Sequence, residues 1–257
     1  IERLVACGRA WDAIVSVSLS IQSAKQEGDA TDLTADVLIG LLNVALARDL
    51  SWNHSLSDEV GKVLDHLVEL KANKRDIVRL ELLLYPLLGR NRELATLNHI
   101  LATDSRIFVK LLEVVHSRKN MLGLRRVDSY RVARSVFDDW RGCPGMRADG
   151  RFDVMVMRRW VEAARQGLAV ADLSDIGDYE IGRVLANSPE NSAGEWPLPA
   201  VCKLIDEVGS ENLDEGFIAG TYRGLMSSVR GVYEGGQQEH ESAQRYRVLS
   251  KQIRSTS

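Results

Sequence analysis

The sequence predicts an all-α protein, and three observations carry that expectation. Apolar residues recur at helical spacing from one end of the chain to the other, which is the signature of amphipathic helices. No segment sustains the two-residue alternation of a half-buried strand, and Asp149-Gly150, a pair that elsewhere would signal a hairpin, falls in a polar loop. The helical segments also follow one another with short gaps. About 11 helices linked in this way predict a degenerate α-solenoid of helical hairpins or an irregular helical bundle.

The elements can be read in order. Ile1-Glu2-Arg3-Leu4 is already in helical pattern and lacks an initiating Met, which predicts a piece of a longer polypeptide. Gly8-Arg9-Ala10-Trp11-Asp12-Ala13-Ile14 resembles the turn between the two helices of a tetratricopeptide-type hairpin, although no 34-residue echo of it follows. The expected hairpins are therefore tetratricopeptide- or HEAT-like without a consensus repeat. Leu33 to Ala47 carries Leu33, Val37, Leu41 and Val44 on one face and Leu38, Leu42 and Leu46 on the next, predicting a central helix. From Ser57 to Ala72 the stripe Val60, Val63, Leu64, Leu67, Val68 is that of a one-faced helix, with Ser57 as its N-cap and Asp58 and Glu59 on the positive end of the dipole. Ile77 to Leu88 is apolar nearly all round, and Pro86 should kink or end it.

Further helices are expected at Arg92–Ala102, at Ser105–Ser117 behind an Asp104 cap, and at Asp128–Trp140. Three Gly and one Pro between Arg141 and Gly150 then break the pattern. This break predicts an N-terminal helical array over residues 1–140 and a C-terminal helical subdomain over 151–257, or one continuous domain. In the second part, helices are expected at Phe152–Leu168 (Phe152, Met155, Val156, Trp160 and Ala163 inward) and Ile176–Asn187. After the polar loop from Ser188, Pro197 or Pro199 suits another helix start, and two long helices close the chain near Glu211–Tyr233 and Gln237–Arg254.

Composition narrows the function without naming it. The 257 residues, 45% apolar and 27% charged with a formal net charge of -3, are those of an ordinary globular chain without a global basic field. Cys7, Cys143 and Cys202 are odd in number and widely spaced, so reduced thiols in a cytoplasmic protein are expected rather than a disulfide framework or a zinc finger. The longest mostly apolar run, Val37 to Ala47, is about half the length a membrane span requires. No membrane partner and no cofactor are expected.

Chemistry-bearing patterns are sparse. Of five histidines, His66 shares a helix face with Glu69 at i+3 in a metal-like arrangement. A metal site would need a further ligand, so no metal and no catalytic residue is expected. Gly235-Gly236 before Glu239, His240 and Glu241 reads as a helix-breaking turn followed by dipole-complementing acids. One stretch stands out by charge: Arg118, Lys119, Arg125, Arg126, Arg131 and Arg134 are set against Asp128 alone, a pattern that phosphate backbones reward. A solvated helix face with Asp138 and Asp139 nearby explains it as well, and Tyr130 is the one ring among these residues. Gly216, Gly220 and Gly224 repeat every four residues. Each costs about 1 kcal/mol relative to Ala inside a helix. The row therefore predicts a close helix contact, either within the chain or across a dimer.

Trp196-Pro197, Ile205-Asp206-Glu207, Ser210, Leu213, Gly216-Phe217, Arg230-Gly231, Gly235-Gly236, Glu239 and Tyr246-Arg247 form one set of recurring packing residues. Tyr85-Pro86-Leu87-Leu88 and Leu101-Ala102-Thr103-Asp104-Ser105 form another. Together they resemble the helical C-terminal regions of large, mostly uncharacterised multidomain bacterial proteins, some in a genomic-defence setting. The resemblance implies a non-enzymatic helical interaction or scaffold module at the end of a larger bacterial protein. Its partner would be another protein or other domains of the same polypeptide. The alternative is an accessory domain of a bacterial defence protein that contacts nucleic acid through the 118–134 stretch.

Overall fold

A computed structural model describes residues 2–29, 31–48, 56–88, 92, 94–116, 126–147, 149–191, 194 and 196–226. The fold is all-α. Thirteen helices are described: α1 (Glu2–Ala6), α2 (Ala10–Glu27), α3 (Ala35–Arg48), α4 (Ser57–Glu69), α5 (Lys74–Leu83), α6 (Tyr85–Leu88), α7 (Ala95–Thr103), α8 (Ser105–His116), α9 (Arg126–Asp139), α10 (Val154–Val170), α11 (Ser174–Leu185), α12 (Pro199–Val208) and α13 (Glu211–Met226). Among the described residues the only strand-like pairing is an isolated bridge between Met146 and Phe152. The expected helix over 237–254 lies outside the described residues. The chain divides into two compact units, one of residues 1–100 with 111–140, the other of 101–110 with the chain from Arg141 onward.

In the first unit, α2 packs on α3 and on α4, and α6 packs on α9. Helix α2 buries Ala10, Ala13, Ile14, Val17, Ser18 and Ile21, one continuous stripe at helical spacing. Its partner α4 buries Val60, Val63, Leu64 and Leu67. Two sequence expectations fail there. Ser57 is the first helical residue and is itself buried, while Leu56 takes the cap position without a side-chain bond. Val68 is half exposed at the end of the helix, where the stripe has drifted off the packed face, and His66 is buried instead. Helix α3 is one-sided rather than central: Leu38, Leu41, Leu42, Ala45 and Leu46 are buried, Val37 is 47% exposed, and Leu33 precedes the helix. Tertiary partners cover one of its two apolar faces, which sequence periodicity cannot choose between.

The segment around Pro86 is buried nearly all round and breaks as expected. Leu84 separates α5 from α6, and Pro86, which has no amide hydrogen to give residue 82, becomes the second residue of α6. Helix α7 starts against α5. There the buried Glu81 carboxylate accepts from the Leu97 amide and from Thr96, filling orphan donors of the first turn.

In the second unit, Asp104 caps α8 by accepting from the Arg106 amide at 3.0 Å. The Gly-rich loop closes on itself and on α7: Gly145 donates to Ala102 O at 3.0 Å and accepts from the Asp153 amide at 2.8 Å. With φ at +88° and a would-be Cβ 2.6 Å from Asp153 O, position 145 accepts only glycine. Asp153 then caps α10 through the Met155 and Val156 amides, an interaction worth about 1 kcal/mol. The inward stripe of α10 is Met157, Trp160, Val161, Ala164 and Leu168, whereas the expected Met155 and Ala163 are exposed. Trp160 sets this rotation: its Nε1 donates to Leu101 O at 2.9 Å and its ring lies 4.9 Å from Phe108. Pro199, not Pro197, opens α12.

Candidate functional site

In the first unit four polar side chains meet where the last turns of α2 and α4 reach the connection into α3. Lys25 ends the exposed side of α2, and its Nζ lies 2.6 Å from Glu69 Oε1 on α4. The other oxygen, Oε2, lies 3.1 Å from His66 Nδ1 one turn back on the same helix. His66 Nε2 is 2.9 Å from the Thr31 hydroxyl, contributed by the connection. The result is a continuous chain from ammonium to carboxylate to imidazole to hydroxyl.

Electrostatics fixes the role of Glu69 in this chain. The Lys25 ammonium, and after it the His66 ring, hold the Glu69 carboxyl below its usual range, so it is an ionised acceptor near neutrality. An ionised carboxylate can only accept, so Nδ1 donates to Glu69, and in the tautomer that carries its one ring hydrogen on Nδ1 the Nε2 atom is an acceptor. In that tautomer Thr31 donates to His66. The ring is nearly enclosed, with 11% of the side chain exposed, while half of Glu69 is open to solvent.

Thr31 also lines a cleft of about 390 Å³ with Ser16, Val17, Ser20, Ala24, Asp32 and Leu33. Ser16 and Ser20 direct their hydroxyls back to the Asp12 and Ser16 carbonyls of α2. Thr31 is thus the lining hydroxyl that is bonded to a base. In the second unit a cleft of about 400 Å³ lies along α10 and α12. Its two arginines are already engaged, Arg158 by Glu207 and Arg165 by Asp178 at 2.8 Å, so it offers little unbalanced charge.

The residues singled out by sequence fall in three groups. Arg118, Lys119 and Arg125 lie outside the described residues, and of Arg126 only its place at the start of α9 is described. Arg131 is exposed, and Arg134 bonds Asp138 one turn on at 3.1 Å. Gly216 and Gly220 face α11. A Cβ at Gly216 would stand 1.9 Å from Tyr179 O, and one at Gly220 would stand 2.7 Å from Arg183 O. Gly182 of α11 faces back, 2.1 Å from Leu213 O by the same measure. The surroundings of Gly224 are not among those described, nor are Gly235, Gly236, Glu239, His240 and Glu241.

Sequence reasoning found His66 and Glu69 but read them only as an incomplete metal pair. It missed Thr31 and Lys25, which lie 35 and 44 residues from their partners. The one local signal was the polar Asp29-Ala30-Thr31-Asp32 stretch ahead of a helix. Among the described residues no group of three or more His, Cys, Asp or Glu could hold a metal ion, and no helix is long and apolar enough to cross a membrane. No protein-family model, no curated protein and no solved structure matches this chain.

Proposed function

We propose that the chain is a helical interaction module that docks a protein, or another domain of its own polypeptide, on the outward face of α13. One observation carries this reading: the two sides of α13 are committed differently. Gly216 and Gly220 lie against the α11 backbone. At about 3.6 residues per turn, Ile218 and Tyr222 fall on the opposite side, where they are 52% and 56% exposed. Glu211 and Asp214 share that side and are exposed. Burial raises the Asp214 carboxyl first, and repulsion from Asp206 and Glu211 raises it further, so this is a locally acidic surface. A partner carrying apolar anchors flanked by Lys or Arg fits it, and a phosphate backbone does not.

The setting, a bacterial cytoplasmic polypeptide of which this is the helical end, is supported by the packing-residue resemblance and by three free cysteines. Burial pushes the Cys143 thiol up, away from reactivity. The nucleic-acid alternative gains less from the geometry, since Arg134 is offset by Asp138.

A photo-crosslinking residue placed at position 218 or 222 tests the docking face, with position 203 of α12 as the control. Discrete adducts of one protein mass are expected at 218 and 222 and should disappear with the charge reversals Glu211→Lys and Asp214→Lys. The same adduct pattern at 203, or adducts indifferent to the reversals, sinks the reading.

A further inference from the structure

We propose that Thr31, His66 and Glu69 form a hydrolytic relay in which the Thr31 hydroxyl attacks small carboxylic esters held in the adjoining cleft. This goes beyond the interaction reading, which concerns α13, and it opposes the sequence expectation that the chain has no catalytic residue. Three features carry it. The hydroxyl lies 2.9 Å from Nε2 and Nδ1 lies 3.1 Å from an ionised carboxylate, the two contacts an activated oxygen nucleophile requires. The ring of the base is nearly enclosed, which holds it in one orientation. The nucleophile lines a concavity whose apolar wall is Val17, Ala24 and Leu33, sized for a short acyl chain and not for a polymer.

The chemistry closes without a cofactor. Thr31 Oγ1 forms a bond to the ester carbonyl carbon while its proton passes to His66 Nε2. The tetrahedral adduct collapses, the bond between that carbon and the alkoxy oxygen breaks, and His66 returns the proton to the departing alcohol. Water then attacks the acyl-threonine, giving its proton to Nε2. Collapse of that adduct releases the carboxylic acid and restores the proton to Thr31. Ester and water become acid and alcohol, with no change of oxidation state. Thr31 and His66 are the catalytic residues. Glu69 and Lys25 are positioning residues, one fixing the ring tautomer and the other holding the carboxylate ionised.

The test uses the full chain with 4-nitrophenyl acetate and 4-nitrophenyl butyrate. Saturable turnover is expected, falling about a hundredfold or more in Thr31→Val and in His66→Gln and persisting in Thr31→Ser. In Glu69→Gln, kcat should fall with KM little changed, and Glu69→Asp should restore part of the lost kcat. A purely structural tether would not give that split between kcat and KM. Rapid quenching of the unsubstituted protein should also place an acetyl group on Thr31, a readout independent of whether any variant folds. Turnover no faster than that of His66→Gln, full activity in Thr31→Val, or acetyl groups on Lys and His side chains alone would each overturn the proposal. None of these results touches the α13 docking face, so the two readings fail separately.

Discussion

The α2–α4 pairing of the first unit is built from side chains, whereas the α11–α13 pairing of the second brings backbone against backbone. Between α2 and α4 the stripes Ala13, Ile14, Val17, Ile21 and Val60, Val63, Leu64, Leu67 supply the contact surface. Between α11 and α13 the three glycines bring the two backbones together, and α13 lies directly on the Tyr179 and Arg183 carbonyls. Side chains can repack around a change of shape, but peptide groups cannot. The first arrangement therefore fixes a pairing while leaving polar residues free to meet at its rim, as Lys25, His66 and Glu69 do. The second fixes the rotation of α13 rigidly and so dictates that Ile218 and Tyr222 face outward.

That contrast is sharpest under substitution. Gly216→Ala must separate two backbones and should cost about 3 kcal/mol or more, as should Gly220→Leu, because overpacking here has no rotamer to relax into. Leu64→Met on α4 keeps its volume and should cost under about 1.5 kcal/mol. Urea titrations of the three variants decide the matter through their midpoints. A midpoint for Gly216→Ala as close to the parent as that of Leu64→Met would erase the distinction.

The first unit also stores a pH dependence in its buried carboxylate. Glu81 is 5% exposed, and burial raises its carboxyl from 4.5 to about 6 despite the lowering bonds from Leu97 and Thr96. The folded protein thus holds this proton more tightly than the unfolded chain does. Its contribution is full below pH 4.5 and is lost as pH rises through about 6, a change of at most about 2 kcal/mol. In Glu81→Gln the stability of the parent relative to the variant should fall across that window. Parallel stability curves for the two proteins would show that burial does not govern this group.

The smallest effect is expected where a helix glycine faces nothing. Gly40 on α3 is exposed with no atom within 4 Å of a would-be Cβ. Gly40→Ala should stabilise by about 0.5–1 kcal/mol through backbone entropy alone. A loss of thermal stability would show a neighbour approaching α3 at that point.

Much of this was legible in the chain, unevenly. The helical class, the break at Pro86, the Asp104 cap and the glycine row follow from spacings of three or four residues, and neighbouring residues alone set them. The choice of buried face was less legible. For α3 and α10 the sequence offered more apolar surface than the fold uses, and Val37 and Met155 were left outside. The candidate site was half visible, as a His and a Glu one turn apart, without the residues that give the pair its chemistry.

By itself the sequence determined the helical elements, their punctuation and the glycine face, because hydrophobic period, capping and steric size act within a turn or two of the backbone. Only the tertiary structure decided that Thr31 and Lys25 meet on His66 and Glu69, that Glu81 receives the start of α7, and that α13 turns Ile218 and Tyr222 outward. These are meetings between residues far apart in the chain. Their distances are set by how packed helices rotate against one another, a quantity that no local pattern of residues encodes.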